Sequence, residues 1–178
     1  MGVNSITLGI EHGNQKFREK ILDRKVTNKV IMDSVHQLAN YDIKFYVDNI
    51  IGMPTETREL AFDTIRLSKQ VPTMNRNMFT FSPFHGTPLR QLAEKNRYID
   101  SDTIASSIIG MSVLNMPQFS KEAIEGVRRC FVLYLLLEEK RWPEIELAEQ
   151  LTPEGDKIWE KLIAECRDRF FPSSTQDD

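Results

Sequence analysis

The chain has 178 residues, 40% of them hydrophobic and 28% charged, with a formal net charge of −3. That is ordinary globular composition, enough for one domain or for a small domain with an appendage. A net negative charge leaves no basic footprint, so a nucleic-acid partner is not expected.

The first expected strand, Ser5-Ile6-Thr7-Leu8-Gly9-Ile10, begins almost at once. Ile6, Leu8 and Ile10 point to one face, and Ser5, Thr7, Gly9 and Glu11 to the other. Asn14 is placed to cap a short helix over residues 15–22. Thr27 caps a longer one to about Asn40, with Ile31, Val35 and Leu38 on one face.

A second strand follows over Lys44–Ile51 and breaks at Gly52-Met53-Pro54. Thr55-Glu56-Thr57 opens a helix over about 57–71. The third strand is expected at Met78-Phe79-Thr80-Phe81-Ser82, stopped by Pro83. Thr87-Pro88 then starts a helix over Leu89–Asn96, proline being favoured in a first helical turn. Strands alternating with helices in this way read as consecutive parallel βα units.

Each strand has a polar parity: Thr7, Gly9 and Glu11, then Asp48 with Lys44 and Tyr46, then Thr80 and Ser82. The opposite parity is apolar except at Asn49. Strands of a parallel sheet covered on both faces are normally apolar throughout, so the polar face is expected to line a cavity. Three strands are too few to close a barrel, and the first would be an open edge. The chain is therefore expected to be the C-terminal part of a larger polypeptide, or else an open sheet that pairs with a partner chain.

Beyond residue 97 the pattern is helical. Ser101 is expected to cap a helix to about Leu114, and Ser120 another over about 121–139. A short piece starts at Pro143, Thr152-Pro153 opens a last helix to about Phe170, and a polar, frayed tail covers 173–178. The run Cys130–Leu137 falls far short of the roughly 20 apolar residues that span a bilayer. Trp142 and Phe131 are expected in the core. The two cysteines, Cys130 and Cys166, have neither metal-ligand spacing nor a disulfide framework, as suits free thiols in the cytoplasm. A domain of residues 1–97 and an extension of 98–178 result.

Several residues carry chemistry. Glu11 ends the first strand, at the rim where βα proteins gather ligand groups; a helix-dipole acid is the plainer alternative. Asp48 interrupts an apolar strand, which is costly unless hydroxyl or amide donors, or a salt bridge to Lys44 or Arg24, meet it. Arg24 alone reads as a surface cation. His12 and His85 share a rim with Glu11, but nothing in their spacing selects for a metal. His36 lies on a helix as a structural or solvent-facing residue. No glycine-rich phosphate loop and no nucleophile elbow occurs.

Three motifs together resemble one family. They are Gly9-Ile10-Glu11-His12-Gly13-Asn14 with Arg18, Leu22 and Arg24; then Asp48-Asn49-Ile50-Ile51-Gly52-Met53-Pro54-Thr55-Glu56-Thr57; then Ser82-Pro83-Phe84-His85-Gly86-Thr87-Pro88-Leu89. Their order and spacing resemble the fourth to sixth strand motifs of the radical S-adenosylmethionine enzymes, in the branch that often carries a cobalamin-binding domain. The resemblance covers about residues 3–96. It implies an α/β fold: the C-terminal half of a partial (βα)6 TIM-type barrel, three parallel βα units, followed by an all-helical extension. It further implies that Glu11 holds the methionyl amino group of S-adenosylmethionine and Arg24 its carboxylate. Asp48 would take the ribose hydroxyls, Gly52 would let backbone approach the cofactor, and Ser82-Pro83 would lie near the adenine. His12 stands where many members have serine.

The family's C-x3-C-x2-C motif, which ligates a [4Fe–4S] cluster, is absent, and Cys130 and Cys166 cannot replace it. The chain alone is accordingly expected to be inactive, with cluster ligands supplied by a missing barrel half or a partner chain, and possible cobalamin in the whole protein. Another βα or nucleotide-binding enzyme and a non-catalytic interaction module are the alternatives. The substrate is not readable from these residues.

Overall fold

A computed structural model describes residues 3–41, 43–104 and 107–172. Three strands, β1 (Ser5–Glu11), β2 (Lys44–Ile51) and β3 (Arg76–Thr80), form one parallel sheet in the order β1-β2-β3. Helices α1 (Gln15–Leu22) and α2 (Asn28–Ala39) connect the first two strands, α3 (Arg58–Lys69) connects the next pair, and α4 (Pro88–Lys95) follows β3. The sequence is therefore α/β with three βα units.

Local chemistry sets most helix starts. Asn14, Thr27, Thr57, Thr87, Ser120 and Thr152 each accept a backbone N–H of the first turn through the side chain, the capping that orphan N–H groups require. The apolar parity of β1 and β2 is buried as expected. Ile10, Phe45 and Val47 pack with Val35 of α2 and with Leu67 and Val71 at the end of α3. Asn49, the polar exception on that face, is satisfied: its Nδ2 donates to the Asn77 carbonyl (3.0 Å) and its Oδ1 accepts from Ser68 (3.1 Å).

The third strand departs from expectation. It runs Arg76–Thr80 rather than 78–82, and the register pairs Asp48 with Asn77 and Ile50 with Phe79. Asn77 and Phe79 consequently share the open face with Asp48, whereas Met78 and Thr80 are buried on the helix-covered side. Apolar residues stand on both parities of this segment, so pairing with β2 decides the facing.

The extension is not wholly helical. Among the described residues of 98–120 there is no helix, and the one expected from Ser101 to Leu114 does not form; Ala105 and Ser106 within it lie outside the described residues. Buried Arg90 explains part of this. Its guanidinium donates to the Pro83 carbonyl and to those of Ser101 and Thr103 (2.7–2.9 Å), the last two being oxygens that a helix would need for itself. The Ile108 carbonyl is likewise spent on the N–H of Thr80 (2.7 Å), the last residue of β3.

Helices α5 (Lys121–Arg129), α6 (Phe131–Leu136), α7 (Trp142–Ala148) and α8 (Pro153–Phe170) make up the rest, with a 3-10 turn at Glu139–Arg141. The single helix expected over 121–139 is broken at Cys130, where the Trp159 indole N–H draws off the Arg129 carbonyl (3.2 Å). The expected tail at 173–178 lies outside the described residues. One apolar core runs from Ile51, Met53, Phe62 and Ile65 of the βα units to Phe131, Trp142, Ile145 and Leu162 of the extension. Among the described residues no helix is long and apolar enough to cross a membrane.

Candidate functional site

The C-terminal ends of the strands carry the polar cluster. β1 ends at Glu11 in left-handed backbone (φ 67°), a conformation that side-chain-bearing residues adopt at some cost. The carboxylate folds back over its own strand: a Cβ on Gly9 would lie 2.3 Å from Glu11 Oε1. Gly9 is thus the space that the carboxylate fills. Arg24, beyond the end of α1, donates to the same oxygen at 3.1 Å.

Asp48 is the register partner of Gly9, so it flanks that carboxylate. Its Oδ1 accepts from Asn77 Nδ2 (2.8 Å), and it is half-buried on the open face rather than interred in the core. Neither Lys44 nor Arg24 pairs with it. Burial holds the Glu11 carboxyl above the usual glutamate range; Arg24 opposes that rise and Asp48 adds to it. Glu11 is not a first-turn acid of α1, which has none.

These groups open on a cavity of about 590 Å³ lined by Gly9, Glu11, Asp48, Ile50, Phe79 and Ser82 among others. A second hollow of about 260 Å³ shares Glu11 and Ile50 and adds Arg24 and Met53. The site is polar where the strands end and apolar along β3, a distribution common in small-molecule sites.

Other expected residues lie elsewhere. Gly52 does have positive φ (82°), but its N–H is given to Glu56 and its Cα faces Ile124 of α5, where a Cβ would come within 3.2 Å. Pro83 is buried and contributes its carbonyl to Arg90. His85 is exposed, as is His36. His12 is fully buried and stacks on Phe17 with ring centroids 4.2 Å apart. His12, His85 and Glu11 do not form a metal site, and no cluster of three potential ligands occurs among the described residues.

Glu56 and Arg18, beneath the rim, stand in the motifs but carry no local sign of burial. Glu56, fully buried, accepts from Gly52 N–H (2.6 Å) and Met53 N–H (2.9 Å) through one oxygen, while the other lies 3.2 Å from His12 Nε2. Arg18, also buried, ties the His12 carbonyl, the Val26 carbonyl and Asn28 together. An acid before a helix reads as solvated, and only tertiary packing makes it otherwise.

The residues present fit one of the implied groups and not the other. Two carboxylates beside a single guanidinium suit a ligand with an ammonium, a carboxylate and hydroxyls. An iron–sulfur cluster has no ligands here. Cys130 and Cys166 are buried in the helical extension, and burial and the nearby Glu149 push the Cys130 thiol up to about 12.

No family profile matches the chain. It is similar in part to tRNA-2-methylthio-N(6)-dimethylallyladenosine synthases. That of Halalkalibacterium halodurans is 29% identical over 94 residues, 52% of this chain and 17% of the relative. That of Ehrlichia ruminantium is 34% identical over 85 residues, 47% and 19% of the respective chains. That of Geobacillus thermodenitrificans is 29% identical over 92 residues, 51% and 17%. The matching stretch is thus under a fifth of these relatives' length and half of this chain. The likeness is to enzymes, and it lends no support to a cobalamin-binding branch.

Proposed function

We propose that residues 1–97 are three βα units of a radical S-adenosylmethionine barrel, and that their open rim holds S-adenosylmethionine. The observation that carries this is the convergence of Glu11, Arg24 and Asp48 beside the 590 Å³ cavity. The partial likeness to the methylthio synthases, radical S-adenosylmethionine enzymes themselves, supports the same family.

Each residue has a role that its surroundings allow. Glu11 and Arg24 neutralise one another in the absence of ligand. In exchange for one another, Glu11 would hold the ammonium of the cofactor's zwitterionic methionyl end and Arg24 its carboxylate. Charge is conserved in that exchange, so little desolvation is left unbalanced. Asp48 has one oxygen occupied by Asn77 and one free for ribose hydroxyls. Phe79 and Ser82 border the space for the adenine. When bound, S-adenosylmethionine supplies an activated carbon–sulfur bond; this chain binds and orients it and supplies no electron.

The cluster ligands come from outside residues 1–178, in the same polypeptide or a partner chain, and the helices between Lys121 and Phe170 act as a buttress packed on α3. Buried free thiols are consistent with a cytoplasmic location. The names of the relatives specify tRNA; the net charge of −3 gives no basic footprint, and the role proposed is confined to the cofactor.

Titrating the chain with S-adenosylhomocysteine while recording backbone amide spectra tests the proposal. Saturable shifts are expected at Gly9, Glu11, Asp48 and Ser82, with at least tenfold weaker binding in Asp48→Ala. A titration in which those amides do not move overturns it.

A further inference from the structure

We infer that His12 and Glu56 are positioning residues for Glu11: their buried contact ties the β1–α1 turn to the β2–α3 turn and fixes the direction of the Glu11 carboxylate. The inference goes beyond the cofactor role and, where it concerns ligand affinity, rests on that role.

Glu11 has left-handed backbone, which persists only where its surroundings enforce it. The enforcement comes through the next residue. His12 N–H donates to the Ile10 carbonyl (2.8 Å), a tight turn across Glu11 itself. The His12 ring is then held on three sides. Phe17 stacks on it at 4.2 Å, its Nδ1 accepts from Asn14 N–H (3.0 Å), and its Nε2 faces Glu56 Oε1 at 3.2 Å.

Since Nδ1 accepts, the ring proton belongs on Nε2, the atom in buried contact with Glu56 Oε1 at 3.2 Å, without hydrogen-bond geometry. Glu56 is fixed in turn by Gly52 and Met53 N–H on its other oxygen and by Gln118, whose Nε2 donates to the Glu56 carbonyl (3.0 Å). Gly13 N–H donates to Thr64 Oγ1 (2.8 Å), closing the turn against α3. The strand bearing Asp48 and the strand bearing Glu11 are therefore joined at their ligand-facing ends by one side-chain contact with no solvent access. Neither residue reaches the cavity, so both act through Glu11.

The test uses the full chain and the titration of the Glu11 carboxyl carbon by NMR. In wild type this carboxyl titrates above the usual glutamate range, because it is half-sheltered over Gly9. His12→Ala, if folded, should let the carboxyl swing out, returning its titration towards that of an exposed glutamate. His12→Gln, which keeps an N–H donor near the Nε2 position, should restore the wild-type curve. Glu56→Gln covers the case in which His12→Ala does not fold. It is isosteric, yet its amide opposes Nε2–H with a second donor, and the Glu11 curve should shift as in His12→Ala.

Affinity for S-adenosylhomocysteine should fall at least tenfold in Glu56→Gln and recover in His12→Gln. Unchanged Glu11 titration in folded His12→Ala or in Glu56→Gln overturns the inference. Normal Glu11 shifts among the variants with no ligand binding in wild type would instead overturn the cofactor role alone.

Discussion

Replacing Glu56 by alanine removes a fully buried carboxylate beneath the rim. The substitution leaves Gly52 N–H and Met53 N–H without their acceptor and removes the carboxylate oxygen 3.2 Å from His12 Nε2, in a site closed to solvent. Each buried donor left unsatisfied costs about 1–3 kcal/mol. Because the two backbone N–H groups converge on one oxygen, a single water entering the vacated space recovers part of their loss. We therefore expect Glu56→Ala to lose about 3–5 kcal/mol, a large share of the roughly 5–15 kcal/mol that stabilises a domain. Glu56→Gln, which retains the oxygen facing the two N–H groups, should lose only about 1–2 kcal/mol. Urea denaturation followed by far-ultraviolet circular dichroism gives both values, provided the slope with denaturant is unchanged. A Glu56→Ala chain within about 1 kcal/mol of wild type would refute the claim that this carboxylate bears the turn.

Three further predictions follow from the same structure. The raised pKa of Glu11 means that ionising it in the folded chain costs stability, a cost absent below its unfolded value of about 4.3 and complete above its folded one. The melting temperature of Glu11→Gln should therefore gain on that of wild type as pH rises through that window, and a pH-independent difference would contradict it. Gly126→Ala places a Cβ 2.5 Å from the Glu149 carbonyl oxygen. Thermal denaturation should show a net loss of about 1–3 kcal/mol despite alanine's better helix propensity, and a stabilised variant would be inconsistent with this packing of α5 on α7. Cys130, fully buried with its thiol pushed up to about 12, should resist a disulfide reagent at pH 8 until denaturant is added; rapid labelling of the native chain would contradict its burial.

The extension is joined to the βα units by polar contacts as well as by the shared core. Arg58 of α3 forms a two-pronged pair with Glu149 (2.6 and 3.0 Å), and Tyr134 donates to the same carboxylate. Lys69 Nζ donates to the carbonyls of Tyr134 and Leu137 at the end of α6. The first of these fixes the end of α7 against α3, so the helices after residue 120 brace the sheet's covered side and leave the rim open. The buried Tyr134 and Trp142 rings meet Phe62 edge-on, at 5.0 and 5.3 Å. Trp142 is a core residue, as its sequence context suggested; Phe131 is too, at 4% exposed.

What the sequence determined by itself is what short range controls. Cap residues beside a first helical turn set the starts of α1, α2, α4, α5 and α8, since the orphan N–H groups and their acceptor lie three residues apart. Strict alternation fixed the covered face of β1 and β2. It also put Glu11 and Asp48 on one open face, whereas Arg24 joined them only through the family resemblance; the three lie together at the rim. Only the tertiary structure decided the facing of β3, because its apolar residues stand on both parities and the register with β2 breaks the tie. Only it could dissolve the expected helix after Ser101, whose carbonyls answer to Arg90, brought there by the turn after β3. The pairing of His12 with Glu56 was equally invisible, since the two residues sit on different βα turns and neither has a local reason to be buried. Glu11 and Asp48 followed from local pattern; their rim neighbours and what holds them in place depend on contacts between units distant in the chain.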